Sequence, residues 1–363
     1  AVAAAYADAN LAGVERFDEL VREHGIDCDL SRIDALTYTS EERHVASVQQ
    51  EFRAAATAGL PVRATTDPGV PFPVRTAVRC SDQGMLDPVR FGRGLAEALR
   101  HDGVRILEGT RVRHVEPGPP HVAHTDDVSI AAPVLVQAAQ LPIYDPGLFF
   151  ARCSPVRSYA LAATLASPVP ELMTLSVDEP ARSMRPVAPG STTGVFGGGS
   201  HRVGEGGYTR RFHDELEDWV REHFDVRSVD ARWSAQDLLP PDDVPFGGRM
   251  PASPDGVLVA TGFKKWGFTS AAVAGRLLTD HVEGIANPWA STFDATRLGV
   301  DLEGAAELAQ ANTKVAVHFV GDRLGTLRPR HAESLEPGEG AIVEHDGEKL
   351  AGHRDDDGEL HLV

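Results

Sequence analysis

The stretch from Gly256 to Val282, GVLVATGFKKWGFTSAAVAGRLLTDHV, decides the reading of the chain. Val257 to Ala260 is an unbroken apolar run of strand length, the pattern of a buried strand. A turn opens at Thr261-Gly262 and a helix follows. Gly267 can adopt a left-handed conformation or let a ligand approach the backbone, and Thr269 or Ser270 can cap the helix. Ala271, Ala272, Ala274 and Gly275 precede Leu277 and Leu278, so this helix suits close packing against a flat partner or a second backbone. Its N-terminus offers unpaired N–H groups and partial positive charge, a setting for an anion or for a ring that becomes anionic. A plain strand–turn–helix of any open α/β sheet has the same outline.

The run V-A-T-G-F-K-K-W-G-F-T, Val259 to Thr269, resembles the C-terminal flavin-contacting strand and helix of FAD-dependent oxidoreductases of the glycine and D-amino-acid oxidase superfamily. It looks in particular like the branch fused to a Rieske iron–sulfur domain. The resemblance implies an α/β fold class: an FAD/NAD(P)-binding, glutathione-reductase-like domain interleaved with an antiparallel-sheet substrate domain, plus a partial all-β Rieske-like C-terminus. It implies FAD as cofactor, contacted by Thr261, Gly262, Phe263, Lys264, Lys265, Trp266, Gly267, Phe268 and Thr269. The implied domains are 1–145 (FAD domain, with part of the substrate domain at about 30–80), 146–244 (antiparallel substrate domain), 245–285 (flavin-contacting strand and helix), 286–328 (helical connector) and 329–363 (start of the Rieske-like domain).

Composition sets the outer bounds. A chain of 363 residues with 42% hydrophobic and 24% charged residues can bury a large core in more than one domain. The formal charge of −18 argues against nucleic acid or anionic membrane as partners, and no apolar run spans a bilayer. Cys28, Cys80 and Cys153 are widely spaced and form no C-x-x-C pair, which fits a reduced, cytoplasmic setting rather than a disulfide framework. The chain opens directly on a helical pattern without Met or a secretory leader, and stops on the strand-like GELHLV.

Helical spacing of Tyr6, Val14, Phe17, Leu20 and Val21 predicts a first helix ending at Gly25. Asp34 to Ser40 alternates like a strand, and Glu41 to Ala58 reads as a helix. The Pro-rich Pro61 to Arg79 is expected to cross between domains. Asp87-Pro88 opens a further helix, Val104 to Glu116 reads as a strand pair around Gly109, and Val134 to Ala138 as a buried strand ending at Pro142. In the family that last strand ends in a V-A-T-H-x-P-like run beside the FAD ribityl and pyrophosphate. Here Val136-Gln137-Ala138-Ala139-Gln140-Leu141-Pro142 lacks its hydroxyl and imidazole. From Cys153 to Phe196, four Pro- and Gly-bounded runs suggest an antiparallel sheet roofing the flavin. Gly197-Gly198-Gly199 reads as a flexible turn, since no Lys-Ser/Thr pair follows it. An amphipathic helix is expected over Arg210 to Phe224, and a polar helical connector over Asn287 to Leu324.

Asp242, Pro245 and Gly248 match the D-x-x-P-x-x-G ending of the family strand that crosses the flavin face. Upstream of that ending, amino-acid oxidases of the superfamily commonly place an Arg that clamps the substrate carboxylate. The corresponding position here is Asp237, which would repel a carboxylate and speaks against an α-amino acid in the usual pose. Arg182 and Arg185 are alternative clamps, and His201 is a weaker acid–base candidate on a loop. Short strands at Ala341–Val343, 349–353 and 359–363, punctuated by Asp346-Gly347 and Asp357-Gly358, resemble the opening of a Rieske domain. The C-x-H and C-x-x-H cluster motifs are absent, so no metal ligand is assigned, and His353 and His361 read as surface residues. No G-x-G-x-x-G occurs either.

Together these features give a fragment truncated at both ends, expected to bind FAD weakly or not at all. The intact enzyme is expected to act as a dehydrogenase. It would move hydride from a C–H beside an amine or hydroxyl of a small-molecule substrate to flavin N5, and electrons onward through a [2Fe-2S] cluster to an acceptor. Negative charge on the reduced ring would be met by the helix tip, and Lys264 and Lys265 can add to it or stand solvated. Two alternatives stay open: a non-catalytic flavin-fold binding or electron-shuttle protein, and a glycine- or sarcosine-type amine oxidase.

Overall fold

The computed structural model describes residues 2–205, 209–297, 330–345, 348–355 and 357–362. The chain divides into two compact units, Ala1–Val203 with Phe212–Gly299, and Gly204–Arg211 with Val300–Val363.

Twenty-one elements of the first unit follow the chain. They are α1 (Val2–His24), β1 (Ser31–Thr39), α2 (Val45–Thr57), β2 (Val62–Thr65), β3 (Thr76–Met85) and α3 (Pro88–His101). Next come β4 (Val112–Glu116), β5 (His121–Thr125), β6 (Ser129–Ala132), β7 (Leu135–Gln137), α4 (Phe149–Arg152), β8 (Ser154–Leu165), β9 (Leu172–Ser176) and β10 (Arg182–Pro186). The remainder are β11 (Thr193–Arg202), α5 (Arg210–His223), β12 (Val226–Leu239), β13 (Phe246–Arg249), β14 (Val257–Thr261), α6 (Gly267–Glu283) and α7 (Ala290–Phe293).

An eight-stranded sheet runs in the order β12-β8-β11-β10-β9-β1-β3-β2, antiparallel except where β1 lies parallel to β9. Alternation along β8 explains its two faces: Tyr159, Leu161, Ala163 and Leu165 are buried in turn. With Phe196, Met184, Leu36 and Tyr38 that face packs under Leu216 and Val220 of α5. The opposite parity of β12, namely Trp233, Ala235 and Asp237, turns away from α5, because Arg232, next to Trp233 and of the other parity, reaches Glu217 on that helix.

The deciding stretch forms a second layer. β14 lies parallel to β7 and antiparallel to β13, and all five of its residues are buried. Val257 and Val259 meet Phe149, Phe246 and Met250 on one side, while Leu258 and Ala260 meet Ala274 and Leu278 of α6 on the other. A strand covered on both faces needs apolar residues throughout, which accounts for the unbroken run. The close approach of α1 to α6 is made by Gly13 of α1, not by the small residues of α6: a Cβ on Gly13 would sit 3.0 Å from Thr269 Cγ2 and 3.1 Å from its carbonyl oxygen. A third sheet, β4-β5-β6, is pinned to the turn before β14 by buried His121. Its Nδ1 accepts from Gly118 N–H (3.0 Å), so Nε2 carries the proton and donates to the Asp255 carbonyl (3.0 Å).

The second unit holds β15 (Arg330–His331), β16 (Gly340–His345), β17 (Glu348–Arg354) and β18 (Leu360–Leu362) in that spatial order, around Ala332, Leu335 and Val343. His361 pairs with Asp355 at 2.8 Å across the last hairpin. The expected turn at Asp346-Gly347 lies outside the described residues.

The fold is α/β, as the sequence implies, with four local corrections. Pro61–Arg79 is no crossing: it supplies β2 and the start of β3, both in the large sheet. Only the second half of Val104–Glu116 is a strand, and its partner is β5. The strand expected over Val134–Ala138 is three residues long, and Val136 on the sheet edge is exposed. Gly197 and Gly198 are strand residues opposite Ser183 and Arg182, because β10 approaches too closely for side chains there: a Cβ on either would fall 2.6 Å from a β10 side-chain atom. Of the connector, α7 is the one helix among the described residues, and 298–329 lie outside them. No described helix is long and apolar enough to cross a membrane.

Two glycines of α3 separate packing from propensity. Nothing lies within 4 Å of a Cβ built on Gly92, whereas on Gly94 it would fall 2.6 Å from Ile26 Cγ2. Gly92→Ala is expected to gain about 0.5–1 kcal/mol by helix propensity. Gly94→Ala should lose about 1–3 kcal/mol to overpacking. Urea unfolding of both variants checks the opposite signs; equal effects would contradict the packing of α3.

Candidate active site

The turn between β14 and α6 has one permitted shape. Gly262 (φ 71°) and Lys264 (φ 55°) are both left-handed. A Cβ on Gly262 would also lie 2.8 Å from Pro240 Cγ, so glycine is required on two counts. Lys264 N–H donates to the Leu238 carbonyl (3.1 Å), and its ammonium pairs with Asp243 at 2.9 Å. Lys264 is therefore an anchored residue, not a solvated one. Gly267 is not left-handed, and neither Thr269 nor Ser270 caps α6: the helix starts earlier, at Gly267, behind Trp266 and with no side-chain cap.

That start leaves the helix tip bare. The first bond back into α6 runs from Ser270 N–H to Trp266 O (3.0 Å), so the amides of Gly267, Phe268 and Thr269 lie ahead of it. A Cβ on Gly267 would meet no atom within 4 Å, and Trp266 and Phe268 are 52% and 43% exposed. Beside the tip, Phe268 packs on Phe17 and Phe91, ring centroids 5.6 and 6.1 Å away.

Two other segments converge on the turn. Buried Thr261 donates through Oγ1 to the Gln140 carbonyl (2.5 Å), and the Gln140 side-chain amide donates to the Gln236 carbonyl. The loop after β7 and the end of β12 are thus tied to the same point, with an amide doing the tying where the resembling run carries an imidazole. The D-x-x-P-x-x-G ending is clamped from below: Asp242 accepts two hydrogen bonds from Arg297 (2.8 and 3.2 Å). Phe246 lies between the guanidinium groups of Arg152 and Arg297, 4.4 and 4.1 Å from its centroid.

Half-buried Asp237 stands on β12 beside this turn, and among the described residues it makes no hydrogen bond and no ion pair within 4 Å. Its nearest opposite charge is Lys265, which remains open to solvent within a crowded surface and donates to Ser200 Oγ at 3.3 Å. Burial pushes the Asp237 carboxyl up, and Lys265 draws it partly back. Burial pulls the Lys265 ammonium down; Asp237 opposes that and Lys264 adds to it. Ser200 carries no signal in the sequence, since it is brought in by the irregular pairing of β11 after Gly198.

The remaining candidates do not join this cluster. Arg185 lies in line with Val195, Ala162 and Ala231, whereas Asp237 is six residues further along β12 and three strands over. Strand spacing puts the two on the order of 20 Å apart. The charge facing Arg185 is Asp87, the N-cap of α3. Arg182 is half-buried on the α5 side. His201 is a strand residue, not a loop one: it stacks on Phe212 (4.7 Å) and bonds Tyr159 Oη (2.9 Å) on the α5 face.

The helix tip is open, and the turn that holds it is tied to the end of β12, a strand of the large antiparallel sheet. The FAD dependent oxidoreductase (DAO) family matches residues 2–281, and this chain belongs to it. A Bacillus subtilis (strain 168) protein named as a Rieske 2Fe-2S iron-sulfur protein, YhfW, is 33% identical over 361 residues, covering 99% of this chain and 70% of that one. Glycine oxidase from Geobacillus kaustophilus shares the fold (TM-score 0.65, 20% identity, 80% of this chain and 81% of that one). So does L-proline dehydrogenase from P. horikoshii (TM-score 0.64, 17% identity, 80% and 82%).

The Asp237–Lys265 pair is expected to weaken the fold. A carboxyl raised above its ordinary 3.8 is a cost that sets in as pH rises through its folded-state value. An ammonium held below its ordinary 10.5 is a cost until pH rises past its own folded-state value. Between those two values both act, so D237N/K265M should melt above wild type near neutral pH. The carboxyl's share of the gain should vanish below 3.8 and the ammonium's above 10.5. Thermal melts across pH check this; a lower melting point near neutrality would contradict it.

Proposed function

We propose that this FAD-family oxidoreductase works as a dehydrogenase on a small amine or hydroxy compound and hands its electrons to a Rieske [2Fe-2S] centre on the way to an acceptor. The observation that carries the reading is the bare tip of α6. Three consecutive amides, Gly267, Phe268 and Thr269, precede the first helical bond beside a glycine with open space around it. Such a tip favours a flat group that gains negative charge.

The residues present fit FAD. Thr261, Gly262, Phe263, Lys264, Lys265, Trp266, Gly267, Phe268 and Thr269 would hold it. When bound, FAD supplies the hydride acceptor for a C–H beside nitrogen or oxygen, and a [2Fe-2S] centre supplies one-electron carriage. The chain's own part is positional. Gly262 and Lys264 fix the turn, the three amides bias the site toward negative charge, and buried Phe17 and Phe91 exclude water behind the tip. The same reading assigns 1–145 and 245–285 to the FAD domain, 146–244 with about 30–80 to the substrate domain, and 286–328 and 329–363 to connector and Rieske-like β domain. Support for the iron–sulfur half is the name of the B. subtilis relative.

Anaerobic titration of the full-length, flavin-loaded protein with a panel of amines and hydroxy compounds tests this reading. The expected result is bleaching of the flavin band followed by a reduced [2Fe-2S] signal in electron paramagnetic resonance. A bleached flavin with a cluster that stays oxidised removes the electron-transfer step. A full-length protein that takes up no flavin overturns the proposal.

A further inference from the structure

The large sheet presents to the turn before α6 a carboxylate, Asp237, that no described residue satisfies. Asp237 is half-buried, no donor reaches it among the described residues, and no cation lies within 4 Å. Structural carboxylates elsewhere in this chain are met by donors: Asp178 by Thr39 and Ser40, Asp242 by Arg297, and Asp280 by Arg276 and Asn287. A carboxylate taken partly out of water without such partners costs stability unless a ligand supplies them.

The polarity of the surroundings narrows that ligand. Lys265, the nearest cation, is hydrogen-bonded to Ser200, and its charge is offset at a distance by Asp237 itself. Lys264 is taken by Asp243 at 2.9 Å. Arg185 stands elsewhere on the sheet. The forked donor of this face is exposed Arg202 on β11, in line with Val156 and Asp237 and two strands over, while at Asp237 itself the free group is an acceptor. Along β12 the same face continues through Ala235 to Trp233, which is 42% exposed, an apolar wall for the rest of a ligand.

Resting on the flavin-site reading above, we infer that Asp237 recognises the substrate's protonated amine, so that the substrate binds as a cationic amine. Asp237 is a specificity-determining residue: its oxygens accept N–H bonds from the ammonium and seat the adjoining C–H bond toward the α6 tip, and one ammonium proton leaves to solvent before that C–H gives up hydride, because hydride loss needs the nitrogen lone pair. A carboxylate in the same place would meet a like charge.

The FAD-loaded full-length protein, titrated calorimetrically and through its flavin difference spectrum, tests this with benzylamine and benzoate, the same ring with opposite charge. Wild type should bind benzylamine at least about tenfold more tightly than benzoate, the scale of one charge-assisted hydrogen bond. D237N should lose that preference while keeping its flavin, and D237E should retain much of it. Benzoate binding as tightly as benzylamine, binding of neither, or a preference unchanged in D237N would each overturn the inference. A protein with no flavin band would instead overturn the reading beneath it. Retained flavin absorbance and an unlowered melting temperature in D237N separate loss of recognition from loss of fold.

Discussion

One contact holds the site: the ring of Pro240 lies where any side chain at position 262 would have to go. Because Gly262 fits under it, the chain leaving β14 turns left-handed, passes Lys264 N–H to the Leu238 carbonyl, and enters α6 with three amides unspent. The helix tip is thus aimed by the end of β12, a strand of the other layer. Arg297 holds that end in place through Asp242, and Phe246 is gripped between two guanidinium groups. The aim of the tip is a tertiary property, set by segments from three parts of the chain.

β12 also carries Asp237, the charge proposed to make the site selective. One of its faces anchors α5 through Arg232 and Glu217, and the other carries Trp233, Ala235 and Asp237 past the turn. A strand pinned so firmly on one side can keep an unsatisfied carboxylate on the other. Asp237 and Lys265 both lose hydration there, and neither is within ion-pairing distance of the other. Stability is given up at the point proposed for recognition, as is common at functional sites.

How much of this was legible depended on whether a feature was local. The apolar run Val257–Ala260 states its own geometry, because a doubly covered strand needs apolar residues throughout. The same holds for the alternation of β8 and the stripe of α5. The left-handed position does not state its own, since the sequence points to Gly267 and the turn uses Gly262 and Lys264. The Pro-rich segment 61–79 misled because Pro bounds edge strands as readily as it breaks structure, and β2 is the edge of the large sheet. Gly197 and Gly198 misled because close approach of β10 excludes side chains just as a turn does. Asp237 stood out only against a family pattern. Its isolation, the Ser200 bond to Lys265 and the bridge from Gln140 to Gln236 are pairings between residues tens of positions apart, which no local spacing encodes.

The central claim is that the amides at the start of α6 receive the flavin. Hydrogen–deuterium exchange of the full-length protein, with and without FAD, reads those amides directly. The account predicts marked slowing at Gly267, Phe268 and Thr269 when FAD is added. Unchanged exchange at those three, with protection confined to other segments, would contradict it.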